Sequence, residues 1–224
     1  MPVPSARAVF APNPVPAPAR ALALEERFFR GLRLANGTYK LTYPNRMPDV
    51  DAALCALLPA SGDIELLDVG VSSGVTTLEL IAALTAHGLT PRTVAADIAI
   101  HASIRPIWGL GEALVDPRGN VLQVSVGGVA KFRTHDPEGS WRRRLLHAVF
   151  GRAERRLAAT GGRGVPVRLV SPRLLERTDV DVVEHDLARD RAEWRGRFGV
   201  VRAANILNHD YFDPDTLLQM AAHL

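Results

Sequence analysis

The chain has 224 residues, is 47% hydrophobic and 23% charged, and carries a formal net charge of +3. That is enough for one domain with a sizeable core and a small appendage, and so small a net charge gives no ground for a polyanion partner. No apolar run reaches the length of a membrane span, and the single cysteine, Cys55, excludes an intramolecular disulfide.

The opening stretch, MPVPSARAVFAPNPVPAPAR, has prolines at 12, 14, 16 and 18 and no continuous apolar segment of the signal-peptide type. Proline at that density predicts an extended, disordered tail over residues 1–21. Residues 22–60 read as an N-terminal helical or lid segment. A helix starts near Leu22 with Phe28, Phe29 and Leu32 on its apolar side, and Asn36-Gly37 stops it. Tyr39, Leu41 and Tyr43 alternate with polar residues, which predicts a short extended piece. Tyr39, Tyr43 and Arg46 can either close over a ligand or pack as a plain segment. Asp49 can cap a helix to about Leu58, with Val50, Ala53, Leu54 and Leu57 on one face and Cys55 in the core.

Residues 61–224 are expected to form the main domain. IELLDVG is a near-continuous apolar run, which suits a parallel strand buried on both faces. VTTLELIAALTAHG follows as a helix closed by Gly88, and RTVAADIAI as a second strand. Together they make one βαβ unit. From about 108 to 178 the alternation breaks, and this block is read as an insertion. It holds a hairpin around Asp116-Pro117-Arg118-Gly119-Asn120. A helix from 141 to 158 follows, capped by Ser140, with Trp141, Leu145, Val149 and Leu157 on its apolar side. VRLVSPRLLER is read as a strand and helix that resume the alternation. VDVVEHDL and FGVVRAANIL are further strands, and Asp213-Pro214 opens a last helix. The fold class is therefore α/β, a mostly parallel sheet with helices on both faces and an inserted hairpin-plus-helix block.

Ligands of open α/β sheets sit beyond the carboxyl ends of the strands. Asp68, Asp97, Asp186 and Asn205 fall on that edge. The turn Gly70-Val71-Ser72-Ser73-Gly74 joins strand to helix, and its small residues leave the helix N-terminus accessible to a carboxylate or phosphate. An acid at the end of the second strand, Asp97, matches the two vicinal hydroxyls of a ribose. The pair predicts a nucleoside-containing cofactor. The turn lacks the lysine of a Walker loop and the third glycine of the dinucleotide pattern, and no Tyr-x-x-x-Lys follows.

These motifs resemble the class I, Rossmann-like S-adenosylmethionine-dependent methyltransferases. LLDVGVSSGVTTLEL is similar to their first motif, VAADI to the second, and VVEHDL to the third. FGVVRAANILNHDYF is similar to their fourth strand and its loop. Within the superfamily the nearest resemblance is to the chemotaxis-receptor glutamate methyltransferases. The resemblance implies that S-adenosyl-L-methionine meets Asp68, Gly70, Val71, Ser72 and Gly74 with its methionine end. It implies Asp97 and Ile98 at the ribose, Asp186 and Leu187 at the adenine, and Asn205 near the sulfonium. It also implies further strands, so a chain ending at Leu224 is expected to be truncated, shortened or completed by a partner. The expected acceptor is a small molecule or a protein side chain, and the expected location is cytoplasmic. His209 is a candidate base in the acceptor loop, weighed against a solvated histidine. Histidine spacing supports no metal site. The arginine-rich helix is read as a solvated face over the acceptor pocket rather than a nucleic-acid platform. The alternatives are a non-catalytic or partner-completed nucleoside-binding module and a nucleotide-dependent oxidoreductase.

Overall fold

A computed structural model describes residues 2–35, 37–40, 42–133, 141–160, 164–204, 206–209 and 212–224, with residues 141–143 and 160 described by their backbone only. In chain order the elements are α1 (Ala6–Phe10), α2 (Pro18–Gly31), α3 (Pro48–Leu57), β1 (Gly62–Val69), α4 (Val75–His87), β2 (Leu89–Asp97), β3 (His101–Ile107), β4 (Gly111–Val115), β5 (Val121–Val126) and β6 (Val129–Phe132). Then come α5 (Trp141–Thr160), β7 (Val165–Arg168), α6 (Pro172–Leu175), β8 (Val180–Glu184), a 3₁₀ turn (Ala192–Trp194), β9 (Val200–Ala203) and α7 (Pro214–Ala222). The fold is mixed α/β. The chain forms two compact units, Met1–Leu41 with His101–Leu169, and Thr42–Ile100 with Val170–Leu224. Among the described residues, no helix is long and apolar enough to cross a membrane.

The first unit is built on a five-stranded antiparallel sheet in the order β6-β5-β4-β3-β7. β3 alternates buried and more exposed residues, whereas the central strands β4 and β5 bury consecutive residues, 113–115 and 121–124, on both faces. Ala113, Val115, Val121 and Val124 pack on Phe150, Ala153 and Leu157 of α5. The apolar side of α5 is thus Leu146, Val149, Phe150, Ala153 and Leu157, and Leu145, expected inside, is 58% exposed. Ser140 and the Trp141 side chain lie outside the described residues. The expected insertion also starts earlier, at His101. In β3 the polar His101, Ser103 and Arg105 alternate with buried Ala102 and Ile104, a one-sided strand that an apolar-run criterion passes over. β7 does not resume the parallel sheet, since it pairs antiparallel with β3, His101 opposite Arg168 and Ile104 opposite Val165.

The N-terminal segment departs most from expectation. Where a disordered tail is predicted, α1 is tied to the antiparallel sheet and α2 has already begun at Pro18. Ser5 caps α1, accepting from the Ala8 amide, and Pro18 takes the first turn of α2, where its missing N–H costs nothing. The buried Gln123 side chain accepts from the Ala6 amide at 2.7 Å and donates to the Pro4 carbonyl at 2.9 Å. Arg7 pairs with Glu112 at 2.6 Å. Phe10 meets Phe28 and Phe29 edge-on, and Phe28 meets Phe132. Proline forbids helix only where an amide is needed, and here partners distant in sequence satisfy the rest.

The second unit is built on a four-stranded parallel sheet in the order β8-β2-β1-β9. Neighbouring residues of β1 face opposite sides. Leu66 packs with Leu80, Ile81 and Leu84 of α4 and Cys55 of α3. Leu67 and Val69 pack with Val94, Ala96, Trp194 and Met220 of α7. A helix is present where expected as α3, but Met47 rather than Asp49 precedes it and no side chain caps it; it buries Asp51 and Cys55, while Val50, Ala53 and Leu57 of the expected apolar face are exposed. Asp213 caps α7 by accepting from the Thr216 amide at 2.9 Å.

The face under α3 and α4 also buries an ion network. Asp68 of β1 and Arg202 of β9 are direct register partners. Arg202 Nε and Nη2 donate to Asp68 Oδ1 and Oδ2 at 2.9 and 2.6 Å, and Nη1 to Asp51 Oδ1 at 3.2 Å. Thr77 Oγ1 of α4 donates to Asp68 Oδ2 at 2.7 Å. Burial pushes the Asp51 carboxyl up against the pull of Arg202, while burial lowers and the Asp68 bonds raise Arg202, whose charge is held more firmly than usual. Removing one partner strands a buried charge, which costs about 3–5 kcal/mol. Arg202→Met is therefore expected to lower unfolding free energy by about that much in urea titrations. The double variant Asp68→Asn, Arg202→Met should cost clearly less than the two single losses added. Simple additivity would contradict the coupling.

Candidate functional site

The strand-to-helix corner after β1 lies where the sheet order reverses, since β2 and β9 flank β1 on opposite sides. That reversal opens a crevice at the carboxyl ends of the strands. Gly70 (φ 72°), Ser72 (φ 56°) and Gly74 (φ 80°) are all left-handed, so the chain reverses within five residues. The Gly70 and Val71 amides both donate to the Ala96 carbonyl, at 2.8 and 3.2 Å, and the Gly74 amide to Val71 at 2.7 Å. α4 begins at Val75 with no side-chain cap, so its first amides have no capping oxygen.

Asp97 closes this corner. It is 7% exposed. Its Oδ2 accepts from the Ser72 amide at 2.8 Å and its Oδ1 from the Ala99 amide at 3.0 Å. The glycine turn and the second-strand acid, read separately in the sequence, are thus one hydrogen-bonded unit. The two glycines serve close packing. A Cβ on Gly70 would collide with Cγ2 of Ile206, and one on Gly74 would sit 2.6 Å from Cδ2 of Leu174. Val71 is buried in the apolar cluster of Ala95, Ile100, Val170, Leu174 and Val182. Ile98, by contrast, is 50% exposed at the sheet edge.

Asp68 stands apart from the corner. Its carboxylate is engaged by Arg202 and Thr77 under α4, with 2% of the residue exposed. At the end of β8, Asp186 accepts from the Ala188 amide at 3.1 Å, a local turn, and is partly exposed. Leu187 is buried with Leu67 and Trp194. Asn205, Asp210 and Tyr211 lie outside the described residues. Tyr39 belongs to the first unit, and Tyr43 and Arg46 to the second.

Residues not singled out in the sequence complete the edge. Glu184 accepts from the Ile100 amide at 2.7 Å, and the His185 amide donates to the Asp97 carbonyl at 2.9 Å. The Ser171 amide donates to the Ser73 carbonyl at 2.7 Å, and the hydroxyls of both serines are buried without a partner. Arg202 had a signal available, a lone charge inside the apolar run FGVVRAA. Ser171 had none. Its place beside Ser73 depends on a segment almost a hundred residues away. The described residues contain no His, Cys, Asp and Glu cluster able to hold a metal ion.

The His185 ring packs on Trp194, with centroids 4.6 Å apart. Burial, then the nearby Arg191 charge, holds its pKa below the ordinary histidine value. The folded state thus binds fewer protons than the unfolded one just below that ordinary value. Stability is full above it and is lost as pH falls through the folded value. The urea midpoint should therefore drop between pH 7 and pH 5, and His185→Gln should remove part of that drop. An identical pH dependence in the variant would contradict the assignment. No family model matches the chain, nor does any curated protein or solved structure.

Proposed function

We propose that the second unit binds S-adenosyl-L-methionine at the carboxyl edge of a Rossmann-like sheet, and that the chain is a methyltransferase acting on a small molecule or a protein side chain. The observation that carries this reading is the Asp97 carboxylate, held at the end of β2 against the Ser72 amide of the turn after β1. A nucleoside cofactor needs an acid for its ribose beside a small turn for its charged end, at a reversal of strand order. The sheet order β8-β2-β1-β9 has that reversal at the same turn.

The residues present fit such a group. A carboxylate can accept more than two hydrogen bonds, so Asp97 can hold the Ser72 and Ala99 amides and still receive ribose hydroxyls. The unpartnered Ser73 and Ser171 hydroxyls lie at the base of the turn, and the α4 N-terminus favours a carboxylate. When bound, the cofactor supplies an electrophilic methyl group. The chain's part is orientation, because in-line displacement depends mainly on positioning. Asp68 has a different part from the one the resemblance implies. It anchors β9 and α4 beneath the turn and so fixes where the turn stands.

A second reading, nucleoside binding without transfer, is favoured by that engagement of Asp68, which keeps one expected contact from the cofactor. Calorimetry with S-adenosyl-L-methionine, S-adenosylhomocysteine and NADH separates the cofactors. The first two should bind and NADH should not. Asp97→Asn should weaken them about tenfold or more, the scale of one charge-assisted hydrogen bond. Absence of binding to the unsubstituted chain would overturn both readings. Transfer of labelled methyl groups into a cell extract, lost in Asp97→Asn, distinguishes the enzyme from the binding module.

A further inference from the structure

The first unit carries a cavity of about 640 Å³ unrelated to the turn after β1. Its wall draws on five separate segments, four of which contribute an arginine. Arg33 follows α2, Arg105 lies in β3, Arg118 is in the β4–β5 turn, and Arg133 follows β6. Among the described residues of the lining Glu154 of α5 is the only acid, and Arg133 pairs with it.

Two other cations are met by neutral groups. Arg33 Nε donates to the Gly37 carbonyl at 2.8 Å, and its guanidinium lies 5.1 Å from the Tyr39 ring centre. Arg105 Nε donates to Ser103 Oγ at 2.9 Å. These contacts fix direction without cancelling charge. Arg118 stands exposed at the turn tip. Asp116 is nearest in sequence, but its oxygens accept from the Asn120 amide and side chain at 2.8 Å each. The Asp116 carboxylate is thus directed at Asn120, while Arg118 is exposed at the tip of the turn.

Guanidiniums that line one cavity repel one another, and an anion among them relieves that repulsion. Arginine is also the side chain whose planar fork matches the oxygens of a phosphate or carboxylate. Apolar residues complete part of the wall, among them Leu34, Ala35, Leu157 and Ala158, beside the polar Asn120. The volume exceeds what an inorganic ion fills and falls in the range of small-molecule sites, roughly 300–1,000 Å³. We propose that this cavity binds a small organic oxyanion, its charged group held by Arg105, Arg118 and Arg33 and its apolar body laid against the Leu34, Ala35, Leu157 and Ala158 part of the wall. The site is independent of the cofactor reading.

The test uses the full chain at low ionic strength, with calorimetric titration of phenyl phosphate, inorganic phosphate and phenol. Phenyl phosphate should bind saturably and more tightly than phosphate, and phenol should not bind. Arg118→Gln, at an exposed turn that folding does not depend on, should weaken phenyl phosphate about tenfold or more. Arg105→Gln should do the same, with thermal unfolding as the check on its fold. Arg20→Gln, an exposed arginine outside the cavity, should leave affinity unchanged. No saturable binding by the unsubstituted chain, equal binding of phenol, or unchanged affinity in Arg118→Gln would each overturn the proposal. S-adenosylhomocysteine affinity should be unaltered in Arg118→Gln, which separates failure here from failure at the turn after β1.

Discussion

A guanidinium buried in a sheet has to be answered, and the second unit is arranged around that answer. Arg202 sits 6% exposed between Asp68 and Asp51. Leaving it unpaired would cost several kcal/mol, so β9 can lie beside β1 only in the register that puts Arg202 opposite Asp68. Thr77 draws α4 into the same network and Asp51 draws in α3. One interaction therefore sets a strand register and two helix positions. The turn that joins β1 to α4 inherits its place from both. Asp97 then ties the exposed side of that turn to β2. The acid that the sequence marks first thus works as the foundation, and the second acid stands at the edge where a ligand can meet it.

Strands differ in how they are buried, and this decides how readable each unit was. The β1–α4–β2 unit is plain in sequence because strands buried on both faces are written as continuous apolar runs. IELLDV and TVAAD are such runs, and Gly88 in the left-handed conformation ends the helix where expected. In the antiparallel sheet the central strands β4 and β5 are buried on both faces, while β3 beside them alternates. The hairpin of that sheet showed through turn chemistry at residues 116–120. β3 did not, since polar residues alternate along it, and β7, read as a strand, gave no sign that its partner is β3, more than fifty residues away.

The N-terminal segment was misread for a related reason. Its composition argues for an extended chain, and locally that argument is sound. What overrides it is Gln123, whose amide supplies both an acceptor for Ala6 and a donor for Pro4. A buried glutamine that far along the chain has no local signature. At the candidate site the outcome is similar. Asp97 and the turn were legible from spacing, while the engagement of Asp68 by Arg202 required the sheet order. Gly70 and Gly74 were legible as glycines, but their neighbours Ile206 and Leu174 were not. Those side chains turn the glycines from ligand contacts into packing positions.

The central claim is that the Asp97 edge of the parallel sheet receives the ribose of a methionine-bearing nucleoside. The most direct measurement is a crystal structure of the chain with S-adenosylhomocysteine. The account predicts the ribose hydroxyls within hydrogen-bond distance of the Asp97 carboxylate and the amino-acid end at the N-terminus of α4. Ligand density elsewhere, with the Asp97 carboxylate left on the Ser72 and Ala99 amides alone, would contradict it.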